Sequence, residues 1–193
     1  MTHGAAFCSP GASVKVAVVA DERAVNEDSI SSRGPRQIVE DVHGLHGQQL
    51  WGFVRRLGLD DETAGDVVQE ALFRLWQACA AGKRVEHPVA WAFRTAYRLA
   101  MDRHRLQRHW QSLAVRQPRP TADRPGALDE LLAVWAEVDR LPERQRQVLY
   151  LRYRADLTFE DIGQVLGIDA SSARSNASRG IATLRDRLAG MDD

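Results

Sequence analysis

The chain has 193 residues, 44% of them hydrophobic and 27% charged, a globular composition that excludes wholesale disorder and suits one ordinary domain or two small ones. Twenty-six basic residues balance twenty-six acidic ones, but unevenly: residues 1–93 hold nine basic and twelve acidic groups, residues 94–120 hold seven Arg against Asp102, and residues 121–193 hold ten and thirteen. One basic block therefore lies between two mildly acidic parts and marks a candidate surface for an anionic partner. No apolar run approaches the roughly 20 residues of a membrane helix. Ser13 to Ala20 is short, carries Lys15 and runs into Asp21 and Glu22, which makes a poor signal peptide. Cys8 and Cys79 alone form neither a disulfide framework nor a ligand cluster, so a reducing cytoplasm is the expected location and no metal or cofactor is expected.

Residues 1–36 read as a poorly ordered extension rich in Gly, Ala, Ser and Val, with loop chemistry over Ser29 to Pro35 and a short strand or helix around Val14–Val19 left open. Helical periodicity begins at about Gln37. Leu50, Phe53, Val54 and Leu57 form one apolar stripe that Gly58 ends. Asp60 and the acids after it offer an N-cap and first turn for the next helix. That helix places Ala64, Val67, Val68, Ala71, Leu72, Leu75 and Trp76 on one side and stops at Gly82. His87-Pro88 opens a third helix, with Pro at an allowed early position, which becomes Arg- and His-rich through Trp110.

Residues 111–126, with Pro118, Pro120, Pro125 and Gly126, read as a flexible linker dividing a first domain, 37–110, from a second, 127–193. Beyond it, a helix is expected over Leu128–Val138, and Leu141-Pro142-Glu143 starts another that runs through Tyr153. A short helix N-capped by Thr158, with Asp161 at its third position, breaks at Gly167. A last helix, capped by Asp169 or a following Ser, runs to about Leu188. No convincing strand appears, so the expected fold is all-α.

Three constellations carry functional information. Residues 158–181 have helix-turn-helix spacing, with Ile162, Val165, Leu166, Ile168, Ala173, Ile181 and Leu184 as a small core. Ser171, Arg174, Ser175, Ser178 and Arg179 then face outward, where Arg pairs with guanine and Ser bonds phosphate or base edges; the alternative is a solvated helix in a bundle. The second is the mixture of Trp91, Phe93, Tyr97 and Trp110 with Arg94, Arg98, Arg103 and Arg105. It suits unstacked bases and phosphates, against the alternative of core aromatics beside a solvated charged face. The third is Asp66, Gln69 and Glu70, which share one helix face and offer carboxylates to an Arg-rich partner; on physical grounds alone, simple surface polarity is the favoured reading. No nucleotide-binding glycine loop and no catalytic set stands out, so an enzyme is not expected.

In this order the pieces resemble an extracytoplasmic-function (ECF) sigma factor of bacterial RNA polymerase. Asp66-Val-Val-Gln-Glu-Ala-Leu-Phe-Arg-Leu-Trp76, Pro88 to Arg103, and Leu141-Pro-Glu-Arg-Gln-Arg-Gln-Val-Leu149 with the helix-turn-helix carry the resemblance. It covers about residues 38–188 and implies an alternative sigma factor with no enzymatic activity. It places Asp66, Gln69 and Glu70 against core RNA polymerase. Lys83, His87, Trp91, Arg94, Tyr97, Arg98, Arg103 and Arg105 fall where the family recognises and melts the minus-ten element. Ser171, Ser172, Arg174, Ser175, Ser178 and Arg179 fall where it reads the minus-thirty-five element. Promoter DNA, duplex and melted, and an anti-sigma protein are the other implied partners. Departures are Arg98 where the family usually has Asn, and the small Ala177, expected to loosen local packing. The rival reading is a stand-alone helix-turn-helix regulator, which gives no reason for the Asp66 face.

Overall fold

A computed structural model describes residues 33–111 and 129–189, which form seven α-helices with no strand among them. These are α1 (Pro35–Arg56), α2 (Asp61–Ala80), α3 (Pro88–Gln111), α4 (Asp129–Asp139), α5 (Glu143–Tyr153), α6 (Phe159–Leu166) and α7 (Ala170–Ala189). The segment around Val14–Val19, nearly all of the expected extension and all of the expected linker but Gln111 lie outside the described residues. The first helix starts earlier than its periodicity suggests. Pro35 occupies its first turn, where φ is already suitable and the missing N–H would have had no partner.

Local chemistry sets the other starts and stops. Asp60 accepts from the Thr63 amide at 2.8 Å and the Thr63 hydroxyl at 2.9 Å, capping α2, whose first turn holds Asp61 and Glu62. Thr158 accepts from the Asp161 amide at 3.1 Å and donates its hydroxyl to the Asp161 carboxylate at 2.7 Å. That closes the start of α6 through two side chains. Gly167, at φ 68°, ends α6, and its amide donates to the Gly163 carbonyl. Asp169 then caps α7 through the Ser172 amide at 2.7 Å.

Helices α1, α2 and α3 pack against one another, and the Leu50, Phe53, Val54 and Leu57 stripe is fully buried between them. Ala64, Val67, Val68, Ala71, Leu72 and Leu75 are buried too, but Trp76, expected on the same side, is 43% exposed. At about 100° per residue, Trp76 lies a quarter-turn past Leu75, beyond the arc the smaller residues already fill. It stacks on Phe73 instead, ring centroids 5.9 Å apart. Of the aromatic pair Trp91 and Phe93, Phe93 is the core residue.

In the second unit, α7 packs on α4, α5 and α6. Ile162, Val165, Leu166, Ala173 and Leu184 are buried as expected; Ile168 and Ile181 pack half-buried at the edge. Ala177 is buried as well, so the small side chain is part of the fit between helices. A Cβ on Gly163 would lie 2.7 Å from the Ile168 carbonyl oxygen, so α6 and the turn meet backbone to backbone. The two units also pack together, through α3 against α6 and α1 against α5, and one apolar core runs through both.

Thr158→Ala removes one cap from the helix-turn-helix. It should lower stability by about 1 kcal/mol in urea unfolding followed by circular dichroism.

Candidate functional site

Three surfaces present the singled-out residues. On α2, Asp66, Gln69 and Glu70 line an open groove with Phe73, Arg74, Leu99 and Arg103. The i, i+3, i+4 spacing brings the three together as the sequence suggests. Glu70 is held by its own helix: its carboxylate accepts from Arg74 Nε at 2.7 Å. Arg103, expected among the minus-ten residues, lies in this groove on the α3 side. Phe73 was not singled out from sequence. It is 51% exposed on the side of α2 opposite the apolar stripe, and an aromatic at such a position was the available signal.

The second surface joins α3 to the loop before it. Lys83 and His87 are exposed in that loop. Trp91 and Arg94 are half-buried on α3, and Arg98 and Arg105 are exposed. Trp91 and Arg98 face a shared groove with Arg74, Gln77, Ala78 and Thr95, so an aromatic face and guanidinium groups converge on one open space. Arg105 sits 3.4 Å from Asp102 on the same helix. Tyr97 is directed elsewhere. Its ring lies 6.3 Å from that of Phe53 and its hydroxyl accepts from Arg144 at 3.3 Å. His104, inside the basic block, lies with Nε2 2.8 Å from the Leu57 carbonyl and ties α3 to the end of α1.

The third surface is the outer face of α7, where Ser171, Arg174, Ser175, Ser178 and Arg179 are exposed and Ser172 is half-buried. Ala173, Ala177 and Gly180 turn inward. A Cβ on Gly180 would meet Leu149 Cδ1 at 2.9 Å, so small residues bring α7 close to α5. Asp169 accepts from the Ser171 hydroxyl at 2.5 Å and from the Ser172 amide and hydroxyl, both at 2.7 Å. Those bonds, the Ser171 hydroxyl first, hold its carboxyl far below the usual carboxylate range. Arg174 lies over the Phe159 ring at 5.1 Å and 3.4 Å from Glu160, both on α6. Arg179 donates to the Ser175 hydroxyl at 3.2 Å. The first helix of the pair thus steers an arginine of the second, through residues the sequence reading had not linked.

Among the described residues, no group of three or more His, Cys, Asp and Glu could hold a metal ion, and no helix is long and apolar enough to cross a membrane. Cys79 is half-buried, and burial raises its thiol pKa, which agrees with a packing role.

Comparison with known proteins adds a frame to this geometry. The family pattern "Sigma-70 region 2" matches residues 43–109, and "Sigma-70, region 4" matches residues 138–186. The chain is 25% identical over 163 residues to the RNA polymerase sigma factor CarQ of Myxococcus xanthus, covering 82% of this chain and 94% of CarQ. It is 29% identical over 151 residues to the ECF RNA polymerase sigma factor SigL of Mycobacterium tuberculosis, covering 75% and 85%. Its fold is shared with the sigma factor RpoE of Bartonella quintana, solved in complex with the anti-sigma factor NepR. There the TM-score is 0.64 and the identity 22%, over 77% of this chain and 95% of that one.

Asp169 yields a pH prediction. A carboxylate more acidic folded than unfolded stabilises fully above about pH 4, and that contribution is lost as pH falls below it. Asp169→Asn keeps an accepting oxygen but does not titrate. Below about pH 4 the urea midpoint of the wild type should fall more steeply with pH than that of the variant.

Proposed function

The chain belongs to the sigma-70 family, in its ECF group, and directs transcription initiation as an alternative sigma factor; we propose how its surfaces divide that work. The Asp66, Gln69 and Glu70 face docks on a cationic surface of core RNA polymerase, with Phe73 and Trp76 adding apolar area beside it. Exposed ion pairs such as Glu70–Arg74 contribute little in water, so Glu70 exchanges its partner at low cost.

Lys83, His87, Trp91, Arg94, Arg98 and Arg105 engage the minus-ten element. Trp91 offers a stacking face for an unpaired base, and the arginines hold phosphates. Tyr97 and Arg103 are carried on the same α3 helix, Tyr97 against Arg144 and Arg103 in the groove of Asp66 and Glu70. On α7, Arg174 and Arg179 read base edges of the minus-thirty-five element in the major groove, with Ser171, Ser172, Ser175 and Ser178 around them. The protein works by binding and has no catalytic role of its own. It acts in the cytoplasm, where polymerase and promoter DNA are. An anti-sigma protein that covers these surfaces is its expected regulator, as the pairing of RpoE with NepR suggests.

The carrying observation is joint. Regions 2 and 4 match in order on the two helical units, with the groove that holds Asp66, Gln69 and Glu70 on the first and an outward Ser/Arg face on the second. In-vitro transcription with purified core polymerase and fragments of the source genome tests it. Start sites should appear only when the protein is added, and Asp66→Arg should abolish both polymerase binding and initiation. Arg174→Ala and Arg179→Ala should each weaken promoter use about 10- to 100-fold, the effect of losing a base contact worth about 1–3 kcal/mol. Duplex binding and regulation without polymerase, indifferent to Asp66→Arg, would mark a stand-alone regulator.

A further inference from the structure

We infer, on the reading of α7 given above, that Glu160 of α6 is a positioning residue for base specificity. It holds Arg174 aimed and neutralised, so that this arginine responds to a guanine edge and not to the phosphate backbone at large.

Two acids fall in the first turn of α6, Glu160 and Asp161, and their surroundings differ. Asp161 is buried and completes the cap with Thr158. Glu160 takes no part in that cap. Its carboxylate accepts instead from Arg174 Nη2, fourteen residues on and across the turn, at 3.4 Å. The Arg174 guanidinium also lies over the Phe159 ring at 5.1 Å, and that ring packs against the core. Arg152 of α5 lies over the same ring at 5.5 Å and donates to the Leu157 carbonyl at 3.0 Å. Arg174 is thus fixed by an acid and a ring that both belong to the first helix of the pair. Arg179, five residues further along α7, is held differently. It donates to the Ser175 hydroxyl at 3.2 Å and the Ser175 carbonyl at 3.4 Å, both neutral groups. Among the described residues, the outer face of α7 therefore presents Arg179 with its charge free and Arg174 with a counter-charge attached.

The counter-charge matters because the two kinds of DNA contact use a guanidinium differently. A phosphate attracts net charge, and each phosphate neutralised releases counterions. A guanine edge asks for two N–H groups side by side, toward O6 and N7. Glu160 accepts one of the five guanidinium hydrogens and leaves enough for such a fork, while it offsets the charge a phosphate would seek. To hold a phosphate, Arg174 must give up Glu160 or carry a carboxylate toward another anion. To hold a guanine, it keeps its partner. Like charges brought together are a general means of rejecting a wrong contact, and here the contact rejected is the one that carries no sequence information. The pair is exposed and contributes little to stability, so its value lies in what it does to Arg174.

Holoenzyme formed from core polymerase and the full chain, offered promoters from the transcription assay above with the minus-thirty-five element randomised, tests this. Arg174→Ala should erase a preference of about 10- to 100-fold for guanine at one base pair. Glu160→Gln should shrink that same preference roughly 2- to 5-fold, the scale of one exposed charge pair. It should do so by raising the use of promoters that lack the guanine, and the preference lost in Arg179→Ala should stay as it was. On a promoter without the guanine, Glu160→Gln should steepen the slope of log affinity against log salt concentration by about 0.9, the mark of one added phosphate contact. Glu160→Gln combined with Arg174→Ala should match Arg174→Ala alone at every base pair, because Glu160 acts through Arg174. A merely structural role would lower the use of all promoters alike. Such a uniform loss, an unchanged preference or an unchanged salt slope in Glu160→Gln overturns the proposal. If Arg174→Ala erases a preference that Glu160→Gln keeps, the proposal alone fails; if Arg174→Ala leaves every preference intact, the reading of α7 fails and the proposal with it.

Discussion

The packing of the two helical units meets at the burial of one ring, that of Phe53. It meets Phe93 edge-on at 5.6 Å within its own unit and Tyr150 at 6.0 Å across the junction. Aromatic burial of this kind dominates local energetics, and offset or tilted pairs add to plain area burial. The same residue therefore belongs to the core that shapes the basic helix and to the contact that brings the helix-turn-helix alongside it. A change there would disturb packing and domain arrangement together, so its effects could not be assigned to either alone.

Most of the architecture was legible because its signals are local. Capping by Asp60, Thr158 and Asp169, the stop at Gly167 and the stripe from Leu50 to Leu57 need only a few consecutive residues to specify them. The faces of α2 and α7 were legible for the same reason, since helical spacing decides which side chains are neighbours. What was not legible depends on residues far apart in the chain. Nothing near Tyr150 reveals that its hydroxyl lies on the Gln49 carbonyl, 101 residues earlier. Nor does the spacing of Trp76 and Phe73 predict their outward stacking, because periodicity assigns a face without measuring how much of it the core can cover.

The candidate surfaces are not bare arrays of charge. Glu70 is held by Arg74, Arg174 by Glu160 and Phe159, Arg179 by Ser175. Such exposed contacts are worth little individually, yet they restrict where each long side chain points. Preorganisation of this sort reduces the entropy lost when a partner binds, while the weak contact yields readily to a better one. By contrast, Glu137 is almost wholly buried and meets both Arg140 and Arg187, joining α4 to the far end of α7. A buried carboxylate with paired cations is costly to break from one side, so it behaves as a fixed brace.

The cap at Asp169 restricts what the start of α7 can offer a binding partner. A serine hydroxyl has one hydrogen to donate and two lone pairs to accept with. Ser171 and Ser172 both spend that hydrogen on Asp169. In that state their hydroxyls offer lone pairs only, and a phosphate oxygen, itself an acceptor, has nothing to offer them. The amino groups of adenine and cytosine do, since they present hydrogens in the major groove. Two serines that look like backbone anchors are thereby left to accept from a donor rather than to hold an acceptor such as a phosphate oxygen.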